Sequence, residues 1–274
     1  MALPGVRCHS RRMTTSRVRS LPGRADPRLA RVEAYYDRVP RAVTTAEEVG
    51  PFTLFVAEEG TGWQYYARPR LGGRATFAAS DVERVLARQV ALDVPRAIEW
   101  VDDVTPTLLP AVRAAGHEPR RYPLLVLPAD VAVEADPRAR TLRPAEPHLA
   151  LAVGTVSAGF GERDVVEPKD TGRRPELIQR GDLVVVASFE DGRLCGAGSA
   201  APRGDVAELM GIAVPPKHRG RGHGSAVTRT LVVACREQGV DLVFLTAGSD
   251  AAAEIYRRVG FVDVGTACIL DLDD

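Results

Sequence analysis

The sequence has few cysteines, few aromatic residues and no long hydrophobic run. Its four cysteines lie far apart and form no C-x-x-C pair: Cys8, Cys195, Cys235 and Cys268. This spacing argues against a disulfide framework and against a zinc site built from neighbouring cysteines, and it favours a reducing cytoplasm. No apolar run approaches the ~20 residues that span a bilayer, so we expect no membrane segment.

An excess of charge of either sign is also absent, because 36 basic residues balance 36 acidic residues. The balance conceals an uneven distribution. Residues 1–25 contain six arginines and no acidic residue, which leaves 30 basic against 36 acidic groups, a net charge of −6, in the rest of the chain. Residues 26–274 therefore lack a broad basic face, so nucleic acid is not an expected partner.

Residues 1–25 combine arginine, serine, proline and glycine with few large apolar side chains. This composition predicts a disordered tail, and Met13 is an alternative start of translation. No apolar stretch of ~7–15 residues follows the arginines, so an ordinary secretory signal is not predicted. A basic arm for nucleic acid or a targeting peptide is the second interpretation of this segment.

The length of 274 residues fits one large domain or two modest ones. Strand and helix signals alternate over 26–128 and again over 139–274, and 129–138 looks like a linker. An offset of 144 positions superposes the ends of the two halves: Gly116 falls on Gly260, Ile98–Val101 on Leu242–Leu245, and Leu124–Leu127 on Cys268–Asp271. Three matches in one register indicate two copies of one fold.

A glycine-rich turn joins a predicted strand to a predicted helix within Val214–Ser225. The first N–H groups of that helix lack intrahelical partners, and the helix dipole places about half a positive charge there. Lys217, Arg219 and Arg221 add full charges. Three glycines let the backbone approach a ligand without Cβ atoms in the way: Gly220, Gly222 and Gly224. The segment therefore predicts a site for phosphate or pyrophosphate.

Two common phosphate-binding designs do not fit this turn. A P-loop needs Lys-Ser or Lys-Thr after the glycines, and a dinucleotide-binding unit needs G-x-G-x-x-G in the first βαβ unit. The Arg-x-x-Gly-x-Gly pattern at 219–224, after strand-Val-Pro, instead resembles the acyl-CoA pyrophosphate loop of the GCN5-related N-acetyltransferase (GNAT) superfamily. The segment Ala251–Phe261 closely resembles that family's late helix, in which A-x-x-x-Y runs into G-F.

The resemblance implies how acetyl-CoA would be held as a co-substrate. Backbone groups of Ile212, Ala213 and Val214 would pair with the pantetheine arm, provided that a bulge splays the strand, and Gly211 is a plausible place for one. Ser249 stands where the family often has an asparagine seven residues before its tyrosine. The pyrophosphate would bind to Arg219, Gly220, Arg221, Gly222, His223, Gly224 and Ser225.

The resemblance also implies the catalytic residues. Tyr256 would be the general acid that protonates the leaving thiolate of CoA. Glu208, on the strand that leads into the loop, would be the general base, because an amine with a pKa near ~10.4 must lose a proton before it attacks a thioester. The implied function is an acyl-CoA-dependent N-acyltransferase that moves acetyl from acetyl-CoA to a primary amine of a small-molecule or amino-acid-like acceptor by direct attack.

The implied fold is α/β (α+β), with two GNAT-like domains that are each a mixed, mostly antiparallel twisted sheet flanked by helices. Residues 139–274 would be the catalytic domain and 26–128 a degenerate copy, since Val112 stands at the position of Tyr256. We expect the aromatic residues of that copy to lie in its core: Tyr35, Tyr36, Trp63 and Trp100. Neither His218 nor His223 has metal-ligand spacing, so no metal is expected.

Two other functions remain open at this stage. One is a non-catalytic acyl-CoA-binding or regulatory protein that keeps the GNAT fold and the loop but not the chemistry. The other is a nucleic-acid-associated protein that uses its arginine-rich tail. The net charge of −6 on residues 26–274 disfavours this interpretation.

Overall fold

A computed structural model describes residues 26–57, 66–73 and 76–273. The predicted tail and Trp63 lie outside the described residues. The helices are α1 (Arg28–Arg41), α2 (Ala79–Ala91), α3 (Leu108–Ala114), α4 (His148–Phe160), α5 (Arg174–Gln179), α6 (His223–Glu237) and α7 (Asp250–Val259). The strands are β1 (Thr44–Val49), β2 (Phe52–Ala57), β3 (Ala67–Pro69), β4 (Ala97–Val101), β5 (Arg120–Leu127), β6 (Ala139–Thr141), β7 (Val184–Glu190), β8 (Arg193–Arg203), β9 (Val206–Ala213), β10 (Leu242–Thr246) and β11 (Val262–Asp271).

All these strands belong to one sheet, in the order β1-β2-β3-β4-β11-β5-β10-β9-β8-β7-β6. Among the strand pairs that the structure describes, β3–β4 and β9–β10 are parallel and the others are antiparallel. The predicted fold class, a mixed and mostly antiparallel sheet flanked by helices, is confirmed.

The centre of the sheet has an approximate twofold arrangement. The last strand of each half pairs with a strand of the other half. Strand β11 lies against β4, and β5 lies against β10. The two last strands also pair with each other, with Arg120 opposite Ile269 and Val126 opposite Val262. One sheet therefore runs through both halves, and the boundary at 129–138 stays a prediction.

The two faces of the sheet bury different helices. On β7, Val184 and Val186 pack with α6, whereas Val185 and Ala187 pack with α4 on the opposite face, as the twofold side-chain period of a strand requires. Helix α1 covers the centre of the α4 face, where its side chains contact Phe244 of β10. Within the described residues, no helix is long and apolar enough to cross a bilayer.

Helix α1 was not predicted, although the sequence carries its signal. Leu29, Val32, Tyr36 and Val39 recur at helical spacing, and all four pack on or within the cluster at the centre of the sheet. The helix matters because it brings an N-terminal side chain to the site described next.

Candidate active site

The strands β9 and β10 diverge beside the predicted acyl-CoA loop. Their parallel register ends where Glu208 faces Phe244, although β9 continues to Ala213. Gly211 has φ +59, and the register with β8 shifts at this point. The predicted bulge is therefore confirmed, and Ile212 and Ala213 lie beyond the last pair with β10. Their backbone borders a gap into which an extended ligand arm could insert.

The glycine-rich turn follows directly. After Val214 the chain makes one 3₁₀ turn, and Gly220 (φ +75) and Gly222 (φ +85) adopt left-handed conformations that favour glycine. Gly222 is the N-cap of α6, which begins at His223, whereas the sequence predicts a helix from Ser225 to Gln238. The N–H groups of His223, Gly224 and Ser225 thus form the first turn of the helix, the arrangement that binds anions.

The two arginines of the turn are ion-paired in this structure. Arg219 makes a bidentate pair with Glu162 (2.7 and 2.8 Å) and also donates to the carbonyl oxygens of Gly159 and Val214, at 3.0 Å each. Arg221 pairs with Glu190 at 2.7 Å. Arg219 therefore ties the end of α4 to the turn, and the backbone N–H groups are the open part of the anion site.

Arg138 also holds the backbone of the glycine-rich turn. Its guanidinium donates to the carbonyl oxygen of Arg221 at 2.9 Å and lies so close to Gly222 that a Cβ there would be 3.2 Å from Nη2. This contact adds a second reason for glycine at that position.

His223 points away from solvent. Its side chain is 1% exposed, and neither ring nitrogen has a hydrogen-bond partner among the described residues. Burial lowers the pKa of the imidazole below its ordinary value. The part of His223 that is available to the predicted pyrophosphate site is therefore its backbone N–H in the first turn of α6.

Glu208 meets a residue from the N-terminal half. The hydroxyl of Tyr36 on α1 donates to Glu208 Oε1 at 3.1 Å and lies 3.4 Å from Thr246 Oγ1. Burial raises the pKa of Glu208 to about 7, and the Glu99 carboxylate also raises it, whereas the Tyr36 hydrogen bond and the Arg68 charge lower it. A carboxyl with a pKa near 7 is matched to general-base catalysis at neutral pH.

Tyr36 is itself held by charged and aromatic neighbours. The guanidinium of Arg68 lies 4.2 Å from the ring centroid, and the ring packs edge-on against Phe244 at 5.3 Å. Arg68 is 4% exposed and pairs with Glu33 at 3.2 Å and with Glu99 at 3.4 Å. These contacts fix the phenol beside the carboxylate.

Two of the other predicted core aromatic residues, Tyr35 and Trp100, are buried, at 3% and 1% exposure. Tyr36 differs from them, because it is only partly buried and its hydroxyl meets Glu208. The sequence predicted Tyr36 as core and missed this bond.

Tyr256 lies on α7, half-buried against the cluster beneath α6. Its ring packs edge-on against Phe261, with the centroids 6.1 Å apart. Burial raises the pKa of Tyr256 to about 12, so the hydroxyl keeps its proton at neutral pH and can donate it.

Glu208 and Tyr256 approach the diverging strands from opposite faces. On β9, Ala207 and Leu209 pack into the cluster that holds Tyr256. Glu208 lies between them in sequence, so it points to the α1 face. The two side chains therefore lie on opposite faces of the sheet.

Ser249 begins α7. Its hydroxyl accepts from the N–H of Ala252 at 3.1 Å and so acts as the N-cap of the helix. Its contact with the cofactor stays a prediction.

A polar cavity of about 450 Å³ opens at the ends of β5 and β11. Val264 of its lining packs against the cluster that contains Phe244 and Tyr36. Its charged lining residues are three acids and two bases: Asp103, Asp250, Asp263, Arg121 and Arg257. Acidic groups therefore outnumber basic ones at its mouth.

Solved structures share this arrangement of strands and helices. A GCN5-related N-acetyltransferase from Kribbella flavida is 24% identical with a TM-score of 0.69, and the match covers 89% of this chain and 95% of that one. A GCN5-related N-acetyltransferase from Sphaerobacter thermophilus is 17% identical with a TM-score of 0.54, over 82% of each chain. The class of fold is therefore that of the GNAT acetyltransferases.

The sequence of the second half matches a known family model. Residues 157–261 match the model of the acetyltransferase (GNAT) family, so the C-terminal half of this chain contains a GNAT acetyltransferase domain. The matched segment includes Glu208, the glycine-rich turn and Tyr256. A comparison with curated proteins finds no match.

Proposed function

We propose that this protein is an acyl-CoA-dependent N-acyltransferase that transfers acetyl from acetyl-CoA to the primary amine of a small-molecule or amino-acid-like acceptor. The observation that carries the proposal is Glu208, which lies at the last residue pair between β9 and β10. Glu208, with a pKa of about 7, is partly ionised at neutral pH and can accept a proton, and Tyr256, with a pKa of about 12, keeps its proton.

The cofactor part of the proposal rests on the backbone. The pantetheine arm pairs with Ile212, Ala213 and Val214 beyond the last β9–β10 pair, and the pyrophosphate binds the N–H groups at the start of α6. Gly220 supports this assignment, because its φ of +75 and the open space around its Cβ position let the chain bend around a ligand. Ser225 and Ser249 complete the proposed contacts.

The reaction follows from these positions. Glu208 accepts a proton from the ammonium form of the acceptor, and the free amine attacks the thioester carbon. The C–N bond forms, the C–S bond breaks, and the departing thiolate takes the phenolic proton of Tyr256. The second proton of the new amide nitrogen leaves to solvent, and solvent restores the proton of Tyr256. Tyr36 fixes the Glu208 carboxylate and favours its ionised form.

We place the acceptor in the polar cavity beside β5 and β11, because Val264 of its lining packs against the cluster that contains Tyr36. A primary amine arrives protonated at neutral pH, and the excess of Asp103, Asp250 and Asp263 over the two arginines favours a cation. The N-terminal half contributes Tyr36 and one wall of the cavity.

The direct test is CoA release by the full-length protein, measured with acetyl-CoA and a panel of primary amines, with carboxylic acids and alcohols of similar size as controls. We expect release with at least one amine and none with the matched alcohol. Acetyl-CoA that binds but is not turned over with any amine contradicts the proposal and supports a non-catalytic acyl-CoA-binding protein instead.

A further inference from the structure

Three side chains that could bind a metal converge beside the glycine-rich turn. Glu190 ends β7, Cys195 lies near the start of β8, and His223 begins α6. One carboxylate oxygen, the Sγ atom and one ring nitrogen all lie within 4.8 Å of one another. The β7–β8 hairpin brings the first two residues together, and packing of α6 against the hairpin adds the third.

The imidazole of His223 is the unusual member of this group. A buried polar atom almost always has a hydrogen-bond partner, because an unpaired one costs about 1–3 kcal/mol. His223 is 1% exposed, and both of its ring nitrogens lack a partner among the described residues. These nitrogens indicate a ligand.

Cys195 supplies the sulfur atom of this group. It is 1% exposed, and its thiol donates to the carbonyl oxygen of Arg193 at 3.3 Å. A metal ion that binds Sγ displaces the thiol proton, so the bond to the metal replaces this hydrogen bond.

We propose that Glu190, Cys195 and His223 form a binding site for a divalent transition metal of the zinc class. Sulfur, imidazole and carboxylate are the ligand set that such ions take in tetrahedral sites. At metal–ligand distances of about 2.0–2.3 Å, the ligand atoms of a tetrahedral site lie roughly 3.3–3.7 Å apart. Side-chain rotations that shorten the largest separations by about 1 Å therefore close the site.

His218 is the candidate for the fourth ligand. Its Nδ1 atom is also buried without a partner among the described residues, and its ring centroid lies 6.3 Å from that of His223. The 3₁₀ turn that carries His218 precedes the flexible glycines of the loop, so a small shift of this turn brings the ring to the metal. Water takes the fourth position if the turn does not move.

Metal binding would also change the charge of the anion site. Glu190 now pairs with Arg221 at 2.7 Å, and a metal that takes the Glu190 carboxylate releases the Arg221 guanidinium next to the first turn of α6. This consequence rests on the proposed function, since it predicts tighter binding of acetyl-CoA by the metal-loaded protein. The metal site itself does not depend on that function.

The test uses the full-length protein after treatment with a chelator and titrates it with Co²⁺ and then Zn²⁺, without CoA. We expect one equivalent of Co²⁺ to produce thiolate-to-metal charge-transfer absorption and Zn²⁺ to displace it. Cys195→Ser removes the absorption, and His223→Ala weakens Co²⁺ binding at least tenfold. Cys235→Ser, at a buried cysteine outside the cluster, is the matched control and leaves both signals unchanged.

Thermal unfolding keeps the test decisive if a variant is unstable. Zn²⁺ should raise the melting temperature of the wild type and of Cys235→Ser but not that of Cys195→Ser. Substoichiometric binding, or binding that Cys195→Ser leaves intact, overturns the proposal. If Zn²⁺ leaves the acetyl-CoA affinity unchanged, only the coupling to Arg221 is overturned. If Co²⁺ binds normally but no acyl transfer occurs, only the proposed function is overturned.

Discussion

The hydroxyl of Tyr36 and the carboxylate of Glu208 are 172 positions apart in the chain and 3.1 Å apart in the structure. The first residue lies on a helix of the N-terminal half, and the second lies on a strand within the GNAT domain. The bond connects the N-terminal half to the residue that we propose as the general base. The N-terminal half therefore contributes to the candidate active site directly.

Loss of that bond should shift the pH dependence of activity. The hydrogen bond stabilises the ionised carboxylate, so in Tyr36→Phe the pKa of Glu208 rises above about 7. A charge-assisted bond contributes about 1.5–3 kcal/mol, so we expect the acid limb of the kcat/KM profile to move to higher pH by about one to two units. The neighbouring Tyr35→Phe is the control, because that hydroxyl bonds the carbonyl oxygen of Ala201 instead. Equal profiles in both variants would remove the positioning role of Tyr36.

Glu208→Gln should remove the base while it preserves the shape of the side chain. We expect kcat to fall by about 10²-fold or more. In the wild type, activity rises as pH increases through about 7, because Glu208 must be ionised to accept a proton. The variant loses that rise. The exposed Glu237 on the same domain supplies a control, Glu237→Gln, that should retain both rate and profile. A wild-type rate for Glu208→Gln contradicts the assigned role.

Tyr256→Phe should slow departure of the thiolate. We expect kcat to fall by about 10²-fold, with the dissociation constant for acetyl-CoA unchanged, because the ring and its contact with Phe261 remain. Isothermal titration and steady-state kinetics separate the two effects. A variant that loses acetyl-CoA affinity but keeps kcat would assign Tyr256 to binding instead of proton transfer.

Gly222→Ala tests the anion site at the start of α6. The left-handed backbone at φ +85 disfavours alanine by about 1–2 kcal/mol, and the new Cβ would press on Arg138. The first-turn N–H groups would shift, so we expect acetyl-CoA affinity to fall at least tenfold. Gly192→Ala has a similar φ of +74 in the β7–β8 turn with open space around it, so it should lower stability without the loss of affinity.

Arg219→Ala and Glu162→Ala separate the contribution of the Arg219–Glu162 ion pair from that of the hydrogen bonds between Arg219 and the backbone. Their ion pair is exposed and screened by solvent, so Glu162→Ala should leave the free energy of unfolding almost unchanged. Arg219→Ala should cost more, about 1–2 kcal/mol, because it also leaves the carbonyl oxygens of Gly159 and Val214 without their donor. Denaturant unfolding measures both. Equal costs would mean that the two backbone bonds contribute little.

Local patterns in the sequence were sufficient for the parts of the site that are contiguous in the chain. The sequence predicts a helix over Asp250–Val259 and a strand over Leu242–Thr246, and the structure has both elements with these bounds. The bulge lies at Gly211, as predicted. The glycine-rich turn was also predictable, since the backbone freedom that it needs depends on residues a few positions apart. The helix α6 begins two residues early, because Gly222 serves as its N-cap.

The sequence by itself thus determined the fold class and the glycine-rich turn, because each depends on local periodicity or on a short motif, and the resemblance that this motif carries implied the acid–base candidates. Only the tertiary structure decided which distant side chains meet. Tyr36 reaches Glu208 through the packing of α1 on the central strands, and His223 reaches Cys195 through the packing of α6 on a hairpin. Such contacts depend on strand order and register, which local spacing does not encode.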